Sequence, residues 1–417
     1  MRIPSHRIER HIVVVALLGR FFVFVLAALA NWFVDDYDSS SSTLVSTFPL
    51  TVYLRWDAVY FLHIASQGYV YEQEHAFFPL VPVIARALAT IILKPLNFLR
   101  LGDTDLTLLS GILVSNLAFV LAAVVLYRLT LRATNDVRFA WISSIFFCLN
   151  PAGIFMSSFY TESMFALLSF SGMYCWLSGK ALLAAIVWSV AGLARSNAII
   201  YAGFFCFDMA TSLPIGQAVK RKPLDIVFRI LKRLFCIAIV FGGFAIFQYY
   251  GYRTFCDQEH KARSGWCDWR LPLMYSHVQS AYWDNGFLTY WEMKQIPNFL
   301  FALPMICLSS FGILQYFQHD KKRFLSIGYV KTLKANASPY FESTLIPFIY
   351  LWLFLLIYCV FFMHVQVITR FFSSLPPVYW GLAYAHSLGR HKRLSVLYPI
   401  LYGALGVVLF AKFFPPA

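Results

Sequence analysis

The tripeptide Arg55-Trp56-Asp57 sets a guanidinium, an aromatic ring and a carboxylate side by side, directly after the first long apolar stretch of the chain. A carboxylate held at a membrane face, partly removed from water, can take the proton of an attacking hydroxyl. An arginine can hold a departing phosphate, because its planar fork matches phosphate oxygens. The same residues could equally be a solvated loop acid beside an interfacial Trp. The acidic and aromatic character continues through Tyr69-Val70-Tyr71-Glu72 and Ala76-Phe77-Phe78-Pro79-Leu80.

Four further groups carry similar chemistry. Glu162 stands in Phe159-Tyr160-Thr161-Glu162-Ser163, about three turns after the breaker Asn150-Pro151-Ala152-Gly153. It is either a second acid of a site or an N-terminal charge stabilising the next helix. Arg195-Ser196-Asn197 interrupts two short apolar segments, and an arginine at membrane depth is costly enough to be a functional candidate by default. Its structural alternative is an arginine paired with an acid across the bundle. His364-Val365-Gln366-Val367-Ile368-Thr369-Arg370 supplies three polar side chains whose spacing suits phosphate or sugar better than a metal. Its alternative is a short turn with one snorkelling Arg. The stretch Ser280-Ala281-Tyr282-Trp283-Asp284-Asn285 has the composition of a sugar-binding surface and of an interfacial belt alike. Cys256 and Cys267 flank a polar segment and can pair in an oxidising lumen; the other six cysteines lie in apolar spans.

The elements that must position these groups are membrane helices. Of 417 residues, 59% are hydrophobic and 13% charged, far from the composition of a soluble domain. The fold class expected is an all-α polytopic membrane protein, residues 1–417 forming one multispanning domain. A span needs about 20 apolar residues, and about eleven follow: 11–34, 107–127, 139–158, 163–179, 181–194, 198–212, 234–251, 297–316, 345–364, 371–388 and 394–413. The net charge of +14 sits in short clusters between spans. Arg2, Arg7 and Arg10, then Arg128, Arg132 and Arg138, then Lys220–Lys222 with Arg229, Lys232 and Arg233, then Lys321–Arg323, then Arg390–Arg393 mark the cytoplasmic face by the positive-inside rule. They do not indicate nucleic-acid binding. Residues 35–105 hold eight acids against four bases, Arg100 among them. That net of −4 makes this segment the first luminal loop, with Ala58–Gln67 and Leu80–Leu99 as interfacial amphipathic helices. Residues 252–295 make the second luminal loop. A transporter would carry polar residues on several spans near the midplane, in repeated halves. Here they gather at one face and no repeat is visible, which favours an enzyme over a transporter or flippase of a lipid-linked sugar. A non-catalytic membrane subunit would leave Arg195 and the acidic loop unexplained.

With these residues in view the chain resembles the GPI mannosyltransferase 2 family. The matching segments run from about residue 50 to 380: Trp56-Asp57-Ala58-Val59-Tyr60-Phe61, Gly68-Tyr69-Val70-Tyr71-Glu72, Ala76-Phe77-Phe78-Pro79, Asn150-Pro151-Ala152, Arg195-Ser196-Asn197, Phe255-Cys256 with Trp266-Cys267, Pro297-Asn298-Phe299-Leu300 and His364-Val365-Gln366. The resemblance implies a GT-C-type glycosyltransferase of the endoplasmic reticulum membrane with a luminal site. It implies dolichyl-phosphate mannose as donor, a mannosylated GPI lipid precursor as acceptor, an inverted α-1,6 linkage, and no cofactor or metal. A small accessory membrane subunit accompanies some relatives. The catalytic position maps onto Asp57. Arg195 and Arg370 are then expected to meet the lipid phosphates, His364 and Gln366 to orient donor or acceptor, and Arg55, Trp56, Tyr71, Glu72, Glu162 and Asn197 to line the substrate site.

Overall fold

The structure is a computed structural model that describes all residues except 1–4, 39–43, 46, 97–100, 213–222, 258–263, 331–337, 390 and 416–417. Arg2, Arg100, Lys220, Arg221, Lys222 and Arg390 lie outside the described residues. Among the described residues there is helix, turn and loop but no strand. Among the described residues, six helical stretches are long and apolar enough to cross a membrane: His6–Phe33, Asp103–Thr134, Leu224–Phe255, Met293–His319, Ser343–Phe362 and Lys392–Ala411.

The helices used below are α1 (Ser5–Phe33), α2 (Asp57–Gln67), α3 (Leu80–Ala87), α4 (Asp103–Thr134), α5 (Val137–Cys148), α6 (Glu162–Leu177), α7 (Ala181–Ala191), α8 (Ala202–Ser212), α9 (Pro223–Phe255), α10 (Met274–Ala281), α11 (Ile296–His319), α12 (Ile346–Phe362), α13 (Ile368–Phe372), α14 (Pro376–Ser387) and α15 (Lys392–Ala411). The expected spans at 139–158, 163–179, 181–194, 198–212 and 371–388 correspond to α5, α6, α7, α8 and α14, of 12, 16, 11, 11 and 12 residues. The span expected at 139–158 is corrected most: its helix stops at Cys148, and residues 150–161 form a buried, non-helical segment. Pro151 has no N–H to continue a helix and its ring crowds the preceding turn. The span expected at 107–127 is extended at both ends. Asp103 and Asp105 favour the positive end of the α4 dipole, Arg132 favours its other end, and Asn135 closes it in the left-handed region at φ 53°.

Helix α4 is the hub, packing against α1, α3, α5 and α6. Two apolar cores meet along it. One gathers α4, α5, α6, α7, α12 and α14 around Phe147, Trp188, Trp352 and Trp380. The other gathers the second half of α1, the first loop and the end of α15 around Phe61, Phe159, Tyr160 and Phe410. Of the two segments expected as helices in the first loop, Ala58–Gln67 lies in α2, and Leu80–Leu99 is helical through α3, a π-helical turn at Leu88–Leu93 and Lys94–Leu96, with residues 97–99 outside the described residues.

Candidate active site

At the seam between the two cores lies a cavity of about 330 Å³. Residues of the apolar first-loop core (Phe61, Phe77, Phe155) form one wall and Met363, Val367 and Phe371 the other. Its polar lining comes from five separate stretches of chain: Asp57, Thr161, Arg195 with Ser196, the second loop (Tyr275, Gln279, Asn285) and the segment 364–370 carrying His364, Gln366 and Arg370.

Asp57 is the first residue of α2. Its backbone N–H donates to the Tyr160 hydroxyl at 3.1 Å, and that hydroxyl donates to the Arg55 carbonyl at 3.1 Å. Trp56 precedes it at φ 54°, ψ −126°. A non-glycine residue there is strained by about 1–3 kcal/mol, which persists only where the surroundings impose it. The conformation lets the Trp56 ring pack on Phe413, with centroids 5.4 Å apart, while it lines the cavity.

A chain of four charges crosses the cavity floor. Arg370 donates through Nη2 to Asp57 Oδ2 and through Nε to Glu162 Oε1, each at 2.8 Å. Arg195 Nη1 reaches the same Glu162 Oε1 at 2.8 Å. The Glu162 side chain is fully buried, whereas Asp57 is 24% exposed and Arg370 17%. Two carboxylates and two guanidiniums give no net formal charge, which is how a buried ionic cluster becomes tolerable. Aromatic faces complete it: the Arg370 guanidinium lies 4.6 Å from the Phe155 centroid and 5.0 Å from that of Tyr160, and Arg195 lies 5.0 Å from Phe371. Glu162 Oε2 and Asn197 Oδ1 are buried without a hydrogen-bond partner among the described residues. Glu162 both opens α6 and binds two arginines, and Arg195 is both paired across the bundle and exposed to the cavity.

His364 stacks on Tyr290 at 4.4 Å and bonds the Trp283 carbonyl at 2.7 Å; Gln366 Oε1 accepts from the Tyr290 hydroxyl at 3.3 Å. Both line the cavity.

Five expected site residues, Arg55, Tyr71, Glu72, Glu162 and Asn197, are not in its lining. Arg55 is 3% exposed and turned to the other side of its strand of chain, donating to the Ala411 carbonyl at 3.2 Å and lying 3.7 Å from Asp36. Glu72 faces the second loop, where its carboxylate accepts from Ser264, from Trp266 Nε1 at 3.2 Å and from the Tyr282 hydroxyl at 3.4 Å. Tyr71 is 56% exposed and stacks on His63. Asn197 follows Ser196 outside the lining, and Glu162 touches the cavity only through the two lining arginines that it binds. Conversely, Ser196 and Tyr275, whose hydroxyls bond at 2.8 Å, and Gln279 do line it and were not singled out from sequence as site residues. Their types are too common to stand out; only the aromatic loop around Trp283 marked that region. Cys256 and Cys267 are disulfide-bonded. Among the described residues no cluster of His, Cys, Asp and Glu is arranged to hold a metal ion.

Comparison with known proteins gives this arrangement its context. The family described as Mannosyltransferase (PIG-V) matches residues 11–417. The GPI alpha-1,6-mannosyltransferase 2 of Cricetulus griseus is 32% identical over 413 residues, covering 89% of this chain and 83% of that protein. The GPI mannosyltransferase 2 of Yarrowia lipolytica is 32% identical over 402 residues, covering 94% and 95%. That of Schizosaccharomyces pombe is 34% identical over 380 residues, covering 88% and 73%. Among solved structures, the oligosaccharyltransferase of Archaeoglobus fulgidus in the apo form aligns with 95% of this chain and 56% of its own, at 13% identity and a TM-score of 0.47. That correspondence is too loose to define the fold further. The match over nearly the whole length settles the enzyme reading against transport or scaffolding: the chain belongs to the Mannosyltransferase (PIG-V) family and is a membrane glycosyltransferase.

Proposed function

We propose that this enzyme transfers mannose from dolichyl-phosphate mannose, in α-1,6 linkage, to the first mannose of the GPI lipid precursor, at the luminal face of the endoplasmic reticulum membrane. The relatives' names carry the acceptor and the linkage. The donor rests on membership of the family, and the luminal side on the acidic first loop and on the disulfide in the second, a bond favoured in an oxidising compartment. In this reading the chain has a GT-C-type architecture with eleven spans, five of them short, and α2 and α3 lie along the membrane surface.

The observation that carries the mechanism is the Asp57–Arg370–Glu162–Arg195 chain beside the cavity. The acceptor hydroxyl oxygen forms the new bond to the anomeric carbon as the bond from that carbon to the phosphate oxygen breaks. The electron pair leaves with the phosphate and the hydroxyl proton passes to the Asp57 carboxylate. As Asp57 loses its charge to the proton, the phosphate gains one. Arg370, shared between them, shifts its charge-assisted bond from one to the other while Glu162 keeps it anchored. The charge of the buried cluster plus substrates stays constant throughout, which keeps the cost of reorganisation low.

The test uses membranes bearing wild type or Asp57→Asn at equal expression, supplied with labelled dolichyl-phosphate mannose and the one-mannose GPI precursor. A two-mannose lipid from wild type and none from the variant is the expected result. Near-normal product from a stably expressed Asp57→Asn would remove Asp57 as the base. No product from either protein would point first to a missing accessory subunit, which an added extract of source membranes would restore.

A further inference from the structure

Helix α9 spans 33 residues, about 50 Å of helix against a hydrocarbon core of about 30 Å. One end, at Phe247 and Gly251, packs on His75 and Met274 beside the candidate active site. The other end projects beyond the apolar layer and carries two different faces. Leu224, Phe228, Leu231 and Phe235, at helical spacing, are 77%, 69%, 57% and 61% exposed, a stripe suited to lipid. The adjoining face bears Arg229, Lys232 and Arg233, and these three cations converge on a second cavity of about 360 Å³. Asp208 of α8 and Gly179 and Ala181 at the start of α7 close its far side.

The charges there do not balance. Arg233 pairs with Asp208 at 3.0 Å, and Asp208 also accepts from Trp176 Nε1 at 3.1 Å. Arg229 and Lys232 have no ion-pair partner among the described residues. Two cations without an ion-pair partner among the described residues thus stand on a cavity whose lining is otherwise mainly apolar (Ile226, Ile230, Met209), at the basic end of α9 that the positive-inside rule puts at the cytoplasmic membrane surface. A basic pocket between helices at that depth matches a phosphate that arrives with acyl chains attached, the chains lying along the Leu224–Phe235 stripe.

We propose that this cavity binds the phosphate of an anionic phospholipid in the leaflet opposite the candidate active site. The site is separate from the mannosyl-transfer cavity and does not depend on the assignment of that reaction. Purified full-length protein in neutral detergent would be titrated with short-chain phosphatidylserine, short-chain phosphatidylcholine and inorganic phosphate, with thermal unfolding as readout. Phosphatidylserine is chosen because it lacks the inositol of the proposed acceptor. A saturable rise with phosphatidylserine alone is expected. Arg229→Gln with Lys232→Gln should weaken it by roughly fivefold per cation removed, while mannosyl transfer in neutral lipid is unchanged. Lys321→Gln with Lys322→Gln removes the same charge from the exposed short helix Lys321–Leu325 and should leave the affinity as it was. An equal response to inorganic phosphate would overturn a lipid as the source. Equal weakening by the Lys321/Lys322 pair would overturn the site in favour of a diffuse basic surface, and no saturable response would overturn it outright.

Discussion

Glu162 holds two guanidiniums on a single oxygen while its side chain reaches no solvent. Removing one partner of a buried ionic cluster leaves the others uncompensated, at a cost on the order of 3–5 kcal/mol. Glu162→Gln keeps the shape and one acceptor oxygen but takes away the charge that anchors Arg370 and Arg195. We expect a lower unfolding temperature, and transfer reduced by on the order of 100-fold, the usual effect of losing one preorganised electrostatic contact in a site. Measured turnover near wild type in a folded variant would reduce Glu162 to a helix-terminal charge. A second residue in the first loop bears on pH. His75 is buried against Tyr69, Phe247 and Phe255, and that burial pushes its imidazole down to about 3. The unfolded chain takes a proton near pH 6.5 and the folded chain does not, so stability is constant above pH 6.5 and falls progressively as pH drops toward 3. His75→Phe should flatten that part of the profile, read as the difference in unfolding temperature between pH 7.5 and pH 5.

At the scale of elements, the non-helical segment 150–161 matters most, because it delivers Tyr160 beneath Asp57 and Glu162 to the two arginines. Its backbone is held from α1. Arg20 is 7% exposed, donates to the Gly153 carbonyl at 2.6 Å and to the Ser157 hydroxyl at 2.9 Å, and lies 3.8 Å from the Phe119 centroid. Asn116 of α4 adds a bond to the Ser157 carbonyl at 3.0 Å. Arg20→Met makes α1 more apolar, so insertion should be unimpaired, yet the segment loses two of its ties. The expected outcome is a folded membrane protein whose kcat falls several-fold more than its KM rises, with Arg20→Lys partly restoring kcat. Much of this was legible in the sequence: Pro151 and Gly153 marked a break, and acids and arginines clustered where one membrane face was expected. The span itself is nevertheless read through to 158, ten residues past the end of its helix at Cys148, because residues 151–160 carry no charge and read as apolar span. The pairing of Asp57 with Arg370 across 313 residues, and of Glu162 with Arg370 across 208, is a property of packing that no local pattern encodes. Arg55 misled for a related reason: it neighbours Asp57 in sequence, but the positive φ of Trp56 sends the two side chains to different surroundings.

For the molecule as a whole, the cavity is closed by two loops that meet at Glu72. The first loop supplies Trp56, Asp57 and Phe77, the second Tyr275, Gln279, Trp283 and Asn285. Glu72 joins them through Ser264, Trp266 and Tyr282, next to the Cys256–Cys267 bond, and His277 stands 3.7 Å from the same carboxylate. Sequence placed Glu72 in the substrate site; its position instead makes it the fastener that keeps the second-loop wall against the first. The charged cluster that would perform the chemistry belongs to α2, α6, α13 and the segment after α7, and Glu72 bonds to none of its four residues. Loosening the fastener should therefore spare chemistry and weaken binding. In Glu72→Ala we expect KM for the larger, acceptor substrate to rise several-fold while kcat stays within about twofold, the signature of lost binding common to ground and transition states. A fall in kcat with KM unchanged would instead mean that the second loop helps to hold Asp57 and Arg370 in register, and the two loops would have to be treated as one catalytic unit.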